Sequence, residues 1–265
     1  MELRIMLNLH SVVFDDMHPN WHKNEAPTET DILLLVIRGK LTYYLNGDAV
    51  PLEKGDMLFI PYGMLRSGVN DPHGPHQKYS AHFRIDRPEQ FPLPDPNVLH
   101  KVRTRSLDYL RQRFAILSQH WFGHMPHFQT ICQGIVIELF GHMARESEME
   151  RFSSAKLRLV KEVQEYIIDH YREPVRLDEL ADKLDRSPNY ITQTYKEVTG
   201  LTPISYMHHL RVQTARELIL TTRMTIGEAS DYLGYSDQAY FNRIFKKLMG
   251  YPPSTMLREK GMIIR

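Results

Sequence analysis

Cysteine is nearly missing from this chain of 265 residues: Cys132 stands alone. A single thiol cannot close an internal disulfide, which excludes the disulfide-stapled secreted scaffolds. In the apolar pattern around it, Cys132 reads as a buried filler rather than a redox sensor. Long hydrophobic runs are missing too. The longest, from Ile32 to Ile37, is strand-sized and far short of the roughly 20 residues of a membrane helix. The opening MELRIMLNLH carries an acid at Glu2 and no long apolar core, so it lacks the shape of a cleavable signal, and a cytoplasmic location is expected. Charge of one sign is also lacking, since 33 Lys/Arg against 32 Asp/Glu leave a net charge of +1. The total does not advertise a nucleic-acid binder. Residues 1–154, however, hold 16 basic and 18 acidic side chains, whereas 155–265 hold 17 and 14. Affinity for a polyanion depends on where positive charge sits, and the small excess lies in the second half.

That second half contains the most informative stretch, Thr225 to Gly250, TIGEASDYLGYSDQAYFNRIFKKLMG. Ile226, Ala229 and Leu233 recur at helical spacing, and Gly234 can take the positive φ of a sharp turn. Ser236 or Asp237 can cap a second helix with Phe241, Ile244, Phe245 and Leu248 on its apolar stripe. Its opposite face carries Gln238, Ala239, Asn242, Arg243 and Lys246, so the stretch reads as a helix-turn-helix. The same design occurs twice. Moving the chain by 50 positions pairs Tyr190 with Tyr240, Ile191 with Phe241, Tyr195 with Phe245, Lys196 with Lys246, Gly200 with Gly250 and Pro203 with Pro253. Upstream the offset falls to 49, pairing Leu177 with Ile226, Leu180 with Ala229 and Leu184 with Leu233. Slippage confined to a turn, with both helices in register, is what a duplicated structural unit should show.

These residues resemble the AraC/XylS family of bacterial transcription regulators. The resemblance rests on Ile226-Gly-Glu228, Leu233-Gly234-Tyr235, the run from Tyr240 to Lys246, and Gly250-Tyr-Pro-Pro253, and it covers about the last 110 residues. It implies two helix-turn-helix units joined by a long helix, here 203–221, that bind consecutive turns on one face of double-stranded DNA. By position in the family pattern, Asn189, Thr192 and Gln193 would approach bases in the first unit, and Gln238, Ala239, Tyr240 and Arg243 in the second. Arg243 can bridge guanine O6 and N7, Asn189 or Gln193 can pair with adenine, and Thr192 or Ala239 can meet a thymine methyl. Arg186, Lys196, Lys246 and Lys247 suit phosphates. Two rival roles stay open: Tyr240 packing between helices, and Arg243 forming a salt bridge to an acid such as Asp237.

From Arg4 to about Ile85 the texture is that of short strands separated by turns at Arg38-Gly39, Asn46-Gly47 and Lys54-Gly55-Asp56, which suggests a small sandwich or barrel. The segment from Gly55 through Pro61 and Gly63 to Asn70 resembles the second cupin motif. Arg66 stands where metal-binding cupins place a histidine, and Ile32 falls where the glutamate of the first motif would lie, so no metal or cofactor is expected. His18 with His22, and His120 with His124 and His127, are too few donors without acidic or thiol partners. Arg66 lies either at the barrel mouth, solvated or paired with an acid, or inside against an anionic or hydroxyl-rich ligand. His22, Tyr43, His82 and Arg84 are the other pocket candidates, each with a structural role as the alternative.

Residues 86–97, DRPEQFPLPDPN, carry four prolines and read as an extended connector. Two helical patterns follow, marked by Leu107, Leu110, Phe114 and Leu117, and by Ile131, Ile135, Leu139, Phe140 and Met143. A further helix, 155–171, with Leu157, Val160, Val163 and Ile167 on its apolar side, should end ahead of Pro174. The expected fold class is α+β multidomain: an N-terminal cupin-like β-barrel with a helical hairpin, then an all-α domain of two helix-turn-helix units. The expected boundaries are 1–97 for barrel and connector, 98–152 for hairpin and linker, and 153–265 for the DNA-binding domain. The expected function is a non-enzymatic, sequence-specific transcription regulator. By resemblance its partners are DNA, a small polar effector such as a sugar, RNA polymerase, and a second copy held through the hairpin. The competing reading is a cupin-fold enzyme or metabolite-binding protein with an accessory helical domain.

Overall fold

The computed structural model describes residues 7–86, 95, 97–173 and 177–256. Contacts divide the chain into two compact units, Met1–Arg151 and Phe152–Arg265. The first holds nine strands: β1 Leu7–Asp16, β2 His22–Pro27, β3 Asp31–Arg38, β4 Lys40–Leu45, β5 Asp48–Glu53, β6 Asp56–Ile60, β7 Leu65–Asn70, β8 Gln77–Ile85 and β9 His100–Arg103. They form two antiparallel sheets, β1-β8-β3-β6-β9 and β2-β7-β4-β5. Asn46 and Gly47 both take positive φ, 51° and 92°, in the two-residue turn that joins β4 to β5, as the Asn-Gly signal requires.

Strand β3 is buried along nearly its whole length because both of its faces are covered. Ile32, Leu34 and Val36 meet Leu41, Tyr43, Leu45 and Leu52 of the other sheet. Leu33 and Leu35 point the other way, toward two helices, α1 Leu107–Gly123 and α2 Phe128–Met149. The helical hairpin therefore completes the core of the first unit. Leu110, Phe114 and Leu117 of α1 and Ile135, Val136, Leu139, Phe140 and Met143 of α2 pack there, and Arg113 of α1 grips Glu138 of α2 with both carboxylate oxygens within 3.0 Å. Ile131, expected on this buried face, is 39% exposed, and Cys132 occupies the interior in its place. The stripe is displaced by one residue where the helix begins. Strand β9 was not anticipated; it pairs with β6 at the sheet edge. The proposed strand start at Arg4, most of the 86–97 connector and Pro174 lie outside the described residues.

The described residues of the second unit form helices and no strand: α3 Ser154–His170, α4 Leu177–Leu184, α5 Pro188–Thr199, α6 Pro203–Thr221, α7 Ile226–Tyr232 and α8 Gln238–Met249. Ser153 caps α3, where its hydroxyl accepts from Lys156 N. Leu159 joins Val160, Val163 and Ile167 as the buried face, and the expected Leu157 is only half-buried. Two small cores follow. Val163, Ile167, Leu180, Ile191, Tyr195 and Met207 form one, and Val212, Ala215, Ile219, Ala229, Phe241 and Phe245 the other. Helix α6 contributes its first half to one and its second half to the other, so it is the spine shared by both.

The duplication is visible in the backbone. Gly200 and Gly250 end α5 and α8 with φ of 78° and 83°, while Asp185 and Gly234 hold the corresponding left-handed position in the two turns, at 49° and 75°. Glycine is required at 234 for a second reason: a Cβ there would sit 2.1 Å from the carbonyl oxygen of Arg172. Asp185 is exposed and its residue type tolerates this conformation. Gly234→Ala should therefore destabilise the second unit by at least ~2 kcal/mol, the strain of a left-handed alanine plus the clash. Urea unfolding followed by helical circular dichroism would measure it, and a change under ~0.5 kcal/mol would show that the turn relaxes freely.

Candidate nucleic-acid interface and interior polar cluster

Helices α5 and α8 each expose a polar face while burying an apolar one. Ser187 caps α5, with its hydroxyl accepting from Tyr190 N, and Pro188 takes the first helical position. Asn189, Gln193 and Lys196 are then exposed, and Thr192 is half-buried. Glu197 is the one acid of α5, and Lys156 of α3 takes its carboxylate at 2.7 Å. Arg186 is exposed in the turn, donating to Asp185 O at 2.6 Å. Helix α8 carries no acid from Gln238 to Met249, and Ala239, Arg243, Lys246 and Lys247 are exposed. The acids are placed on the bracing helices instead, Asp178, Glu179 and Asp182 on α4 and Glu228 and Asp231 on α7. The result is a basic ridge on α8 and, on α5, Lys196 beside a glutamate already taken by Lys156, above acidic bracing helices, a charge distribution that suits phosphates beside a groove.

The two rival roles are resolved by contacts. Asp237 is the N-cap of α8, its carboxylate accepting from Ala239 N and Tyr240 N at 2.9 and 3.1 Å, and Arg243 forms no ion pair among the described residues. The Arg243 guanidinium lies 5.7 Å from the centre of the Tyr240 ring and is free to reach outward. Tyr240 does pack between helices in part: its hydroxyl meets His208 Nε2 of α6 at 3.3 Å, leaving the side chain 40% exposed. Gln238 turns back over α7, where its Oε1 lies 3.1 Å from the position of a Cβ on Gly227.

Arg211, which sequence reasoning missed, links the two cores. It sits on α6, 4% exposed, and donates to Tyr171 O at 2.5 Å, Glu173 O at 2.7 Å and Gly234 O at 3.1 Å, with Tyr235 facing its guanidinium at 4.9 Å. Burial lowers its pKa. One side chain thereby ties the end of the first core to the turn of the second unit. The signal was present, because Met207, Arg211 and Ala215 recur every four residues on the buried face of α6.

In the first unit, polar side chains gather on the inner faces of the two sheets. Strand β8 sends Ala81 and Phe83 to the helices, and by alternation Lys78, Ser80, His82 and Arg84 face the other sheet. Arg66 on β7 and Tyr43 on β4 face them, 9% and 2% exposed, with the guanidinium 5.7 Å from the ring centre. Trp21 meets Tyr43 and His76 edge-on, at 5.8 and 4.6 Å between ring centres, and its Nε1 donates to Asp15 at 3.1 Å. Lys78 forms an ion pair with the same Asp15 and lies 4.9 Å from the Trp21 ring. Gly68 is bare because a Cβ there would strike Tyr43 at 2.8 Å and Trp21 at 3.0 Å. Of the five pocket candidates, Tyr43, Arg66 and His82 come together, and Arg84 lies farther along β8 with its guanidinium stacked 3.7 Å from the centre of Tyr62. His22 is not brought in. It is opposite exposed Val69 and faces solvent, whereas the adjacent Lys23 is opposite inward-facing Gly68. Lys78 shares the parity of His82 and Arg84, so alternation alone would have found it.

Matches to known proteins follow the same division. The AraC-like ligand binding domain matches residues 8–121, and a helix-turn-helix domain matches 180–259. The arabinose operon regulatory protein of Escherichia coli (strain K12) is 32% identical over 246 residues, covering 84% of this chain and 78% of that protein. This chain belongs to the AraC/XylS family. The MmsAB operon regulatory protein of Pseudomonas aeruginosa is 33% identical over 76% of this chain and 64% of its own length. The uncharacterized HTH-type transcriptional regulator YisR of Bacillus subtilis is 29% identical over 44% of this chain and 40% of its own length. The chain thus spans less than two thirds of the length of these last two relatives. Among the described residues, no helix of this AraC-family chain is long and apolar enough to cross a membrane.

Two histidines in the interior of the first unit are held neutral. Burial first, then the positive charges of Arg66, Lys23 and Lys78, push the His82 pKa down from 6.5 to about 4. Burial and Lys78 push His76 down to about 4 as well. Both rings are neutral at pH 7, and Asn70 Oδ1, 2.7 Å from His76 Nδ1, places the proton of that ring on Nδ1. Because folding lowers both values, the unfolded chain binds more protons between about pH 4 and 6.5, so the stability they contribute is complete above 6.5 and is lost as pH falls toward 4. The melting temperature of the first unit should decline across that window, and His82→Asn should flatten the decline. A decline equally steep in the variant would assign the acid sensitivity to other groups.

Proposed function

We propose that this AraC-family regulator acts in the cytoplasm, lays α5 and α8 into two consecutive major grooves on one face of double-stranded DNA, and is controlled by a small polar effector held between the sheets of its first unit. The observation that carries the DNA part is the pair of recognition helices with exposed polar faces, α8 strongly basic, seated on two cores that share α6. Asn189, Thr192 and Gln193 read the first groove, and Ala239 and Arg243 the second, with Gln238 and Tyr240 at its edge. Arg186, Lys196, Lys246 and Lys247 hold phosphates. The effector part is supported by Tyr43, Arg66 and His82 converging inside the domain that matches AraC-like ligand binding domains. Phe122 and Met125, each 67% exposed at the hairpin tip, favour a second copy of the chain as partner there. A regulator of this kind also engages RNA polymerase.

Arg243→Ala is expected to cost roughly 1–3 kcal/mol at the true operator and to flatten discrimination at one base pair. Lys246→Ala should weaken binding to every duplex alike. Competition binding on operator and random DNA separates the two effects, and equal losses on both duplexes for both variants would defeat the assignment. Footprinting should show two protected segments about 10 base pairs apart on one face. Protection of a single segment, with Asn189→Ala silent, would mean that the first unit does not read DNA.

A further inference from the structure

Two buried arginines of this chain are treated in opposite ways. Arg211 meets three carbonyl oxygens, while Arg66, 9% exposed, makes no hydrogen bond or ion pair among the described residues. A guanidinium does not shed its proton in a protein, so burial of one without an acceptor is strongly unfavourable. Its surroundings supply no relief. Asp15 is the carboxylate of the interior cluster, and Lys78 and Trp21 already hold it. His82 is neutral and His76 Nε2, a bare acceptor by the placement of its proton, is buried without a partner. Among the described residues the cluster therefore offers the guanidinium of Arg66 without a protein acceptor, an unused acceptor at His76 Nε2 and two aromatic rings, Trp21 and Tyr43, and farther along β8 Arg84 Nη1 is also buried without a partner.

We infer that the effector is a small hydroxylated carboxylate, of the sugar-acid class, whose carboxylate is bound by Arg66, rather than a neutral sugar. This rests on the reading of the first unit as an effector domain. A neutral hydroxyl can accept a hydrogen bond from Arg66 but leaves its charge uncompensated, whereas a carboxylate answers both needs in one bidentate contact. Tyr43, whose ring already faces the Arg66 guanidinium, supplies an aromatic wall beside the bound carboxylate, and a ligand hydroxyl can donate to His76 Nε2.

The test uses the full chain and the matched pair D-glucuronate and D-glucose, which differ in the oxidation state of C6, at equal ionic strength. Glucuronate should raise the melting temperature of the first unit by a few degrees at saturation, and glucose by much less. Arg66→Met should abolish the glucuronate shift while its ligand-free melting temperature equals or exceeds that of the parent, since the change removes an unpaired buried charge. Arg66→Gln, which keeps a polar head, serves as the second variant and should also lose the shift; retained operator binding by both variants shows that they fold. The inference is overturned by equal shifts from the two sugars, by a glucuronate shift that persists in Arg66→Met, or by no shift from glucuronate, galacturonate or gluconate. A glucose shift that Tyr43→Ala removes would defeat the anionic ligand and leave the effector domain standing.

Discussion

A guanidinium can be buried without a carboxylate only if its N–H groups find other acceptors, and Arg211 meets that condition with main-chain carbonyls drawn from distant parts of the second unit. Tyr171 and Glu173 follow the last turn of α3, and Gly234 lies in the turn between α7 and α8. Each of these carbonyls lies where a helix has ended and its acceptor would otherwise lack a donor. The same contacts explain why glycine occupies position 234, since the chain after α3 approaches so closely that a Cβ would collide with Arg172 O. Two recognition helices can be read by neighbouring grooves only if their separation is fixed. Helix α6 joins the two cores, and the arginine that crosses between them adds three hydrogen bonds to that link.

The contrast with Arg66 separates structure from function by accounting for hydrogen bonds. Both side chains are buried, both face an aromatic ring, and both come from a helix or strand whose neighbouring positions are apolar or small. One has its donors satisfied by main-chain carbonyls, and the other finds no acceptor among the described residues. Natural interiors leave few polar groups without partners, and those that remain mark places where something else completes the site. His76 Nε2, just ahead of β8, is buried without a partner as well.

Much of the second unit was legible in the sequence because its determinants are local. Ser187 and Asp237 cap, Gly200 and Gly250 terminate, and the one-residue slip between offsets 49 and 50 falls in the turn, where Asp185 and Gly234 take the same left-handed place. The apolar stripes of α5 and α8 followed from helical periodicity. The first unit was legible only to the level of strands. Whether His22 or Lys23 faces inward depends on the register of β2 against β7, which an irregularity between Lys23 and Ala26 resets, and neither strand alone encodes that. Trp21 precedes β2 and enters the cluster through a loop, so no periodicity points to it. Cys132 is buried as expected, and only Ile131 was misplaced, because the helix begins three residues earlier, where one turn gives little periodicity to judge by.

Strand β8 is where the two faces of the first unit meet in a single element. Its odd-numbered residues Ala81 and Phe83 pack on the hairpin, with Phe83 edge-on to Phe140 at 5.3 Å, and its even-numbered residues Lys78 and His82 line the polar interior. Antiparallel pairing with β1 and β3 on both sides prevents the strand from rotating, so a displacement imposed on one face is carried to the other. Interiors packed at crystal density have no slack to absorb such a shift. The seat of Phe140 on α2 is therefore set by the same strand that places His82 in the polar interior. The close packing that makes β3 and β8 a rigid floor thus holds the hairpin and the polar interior in one register.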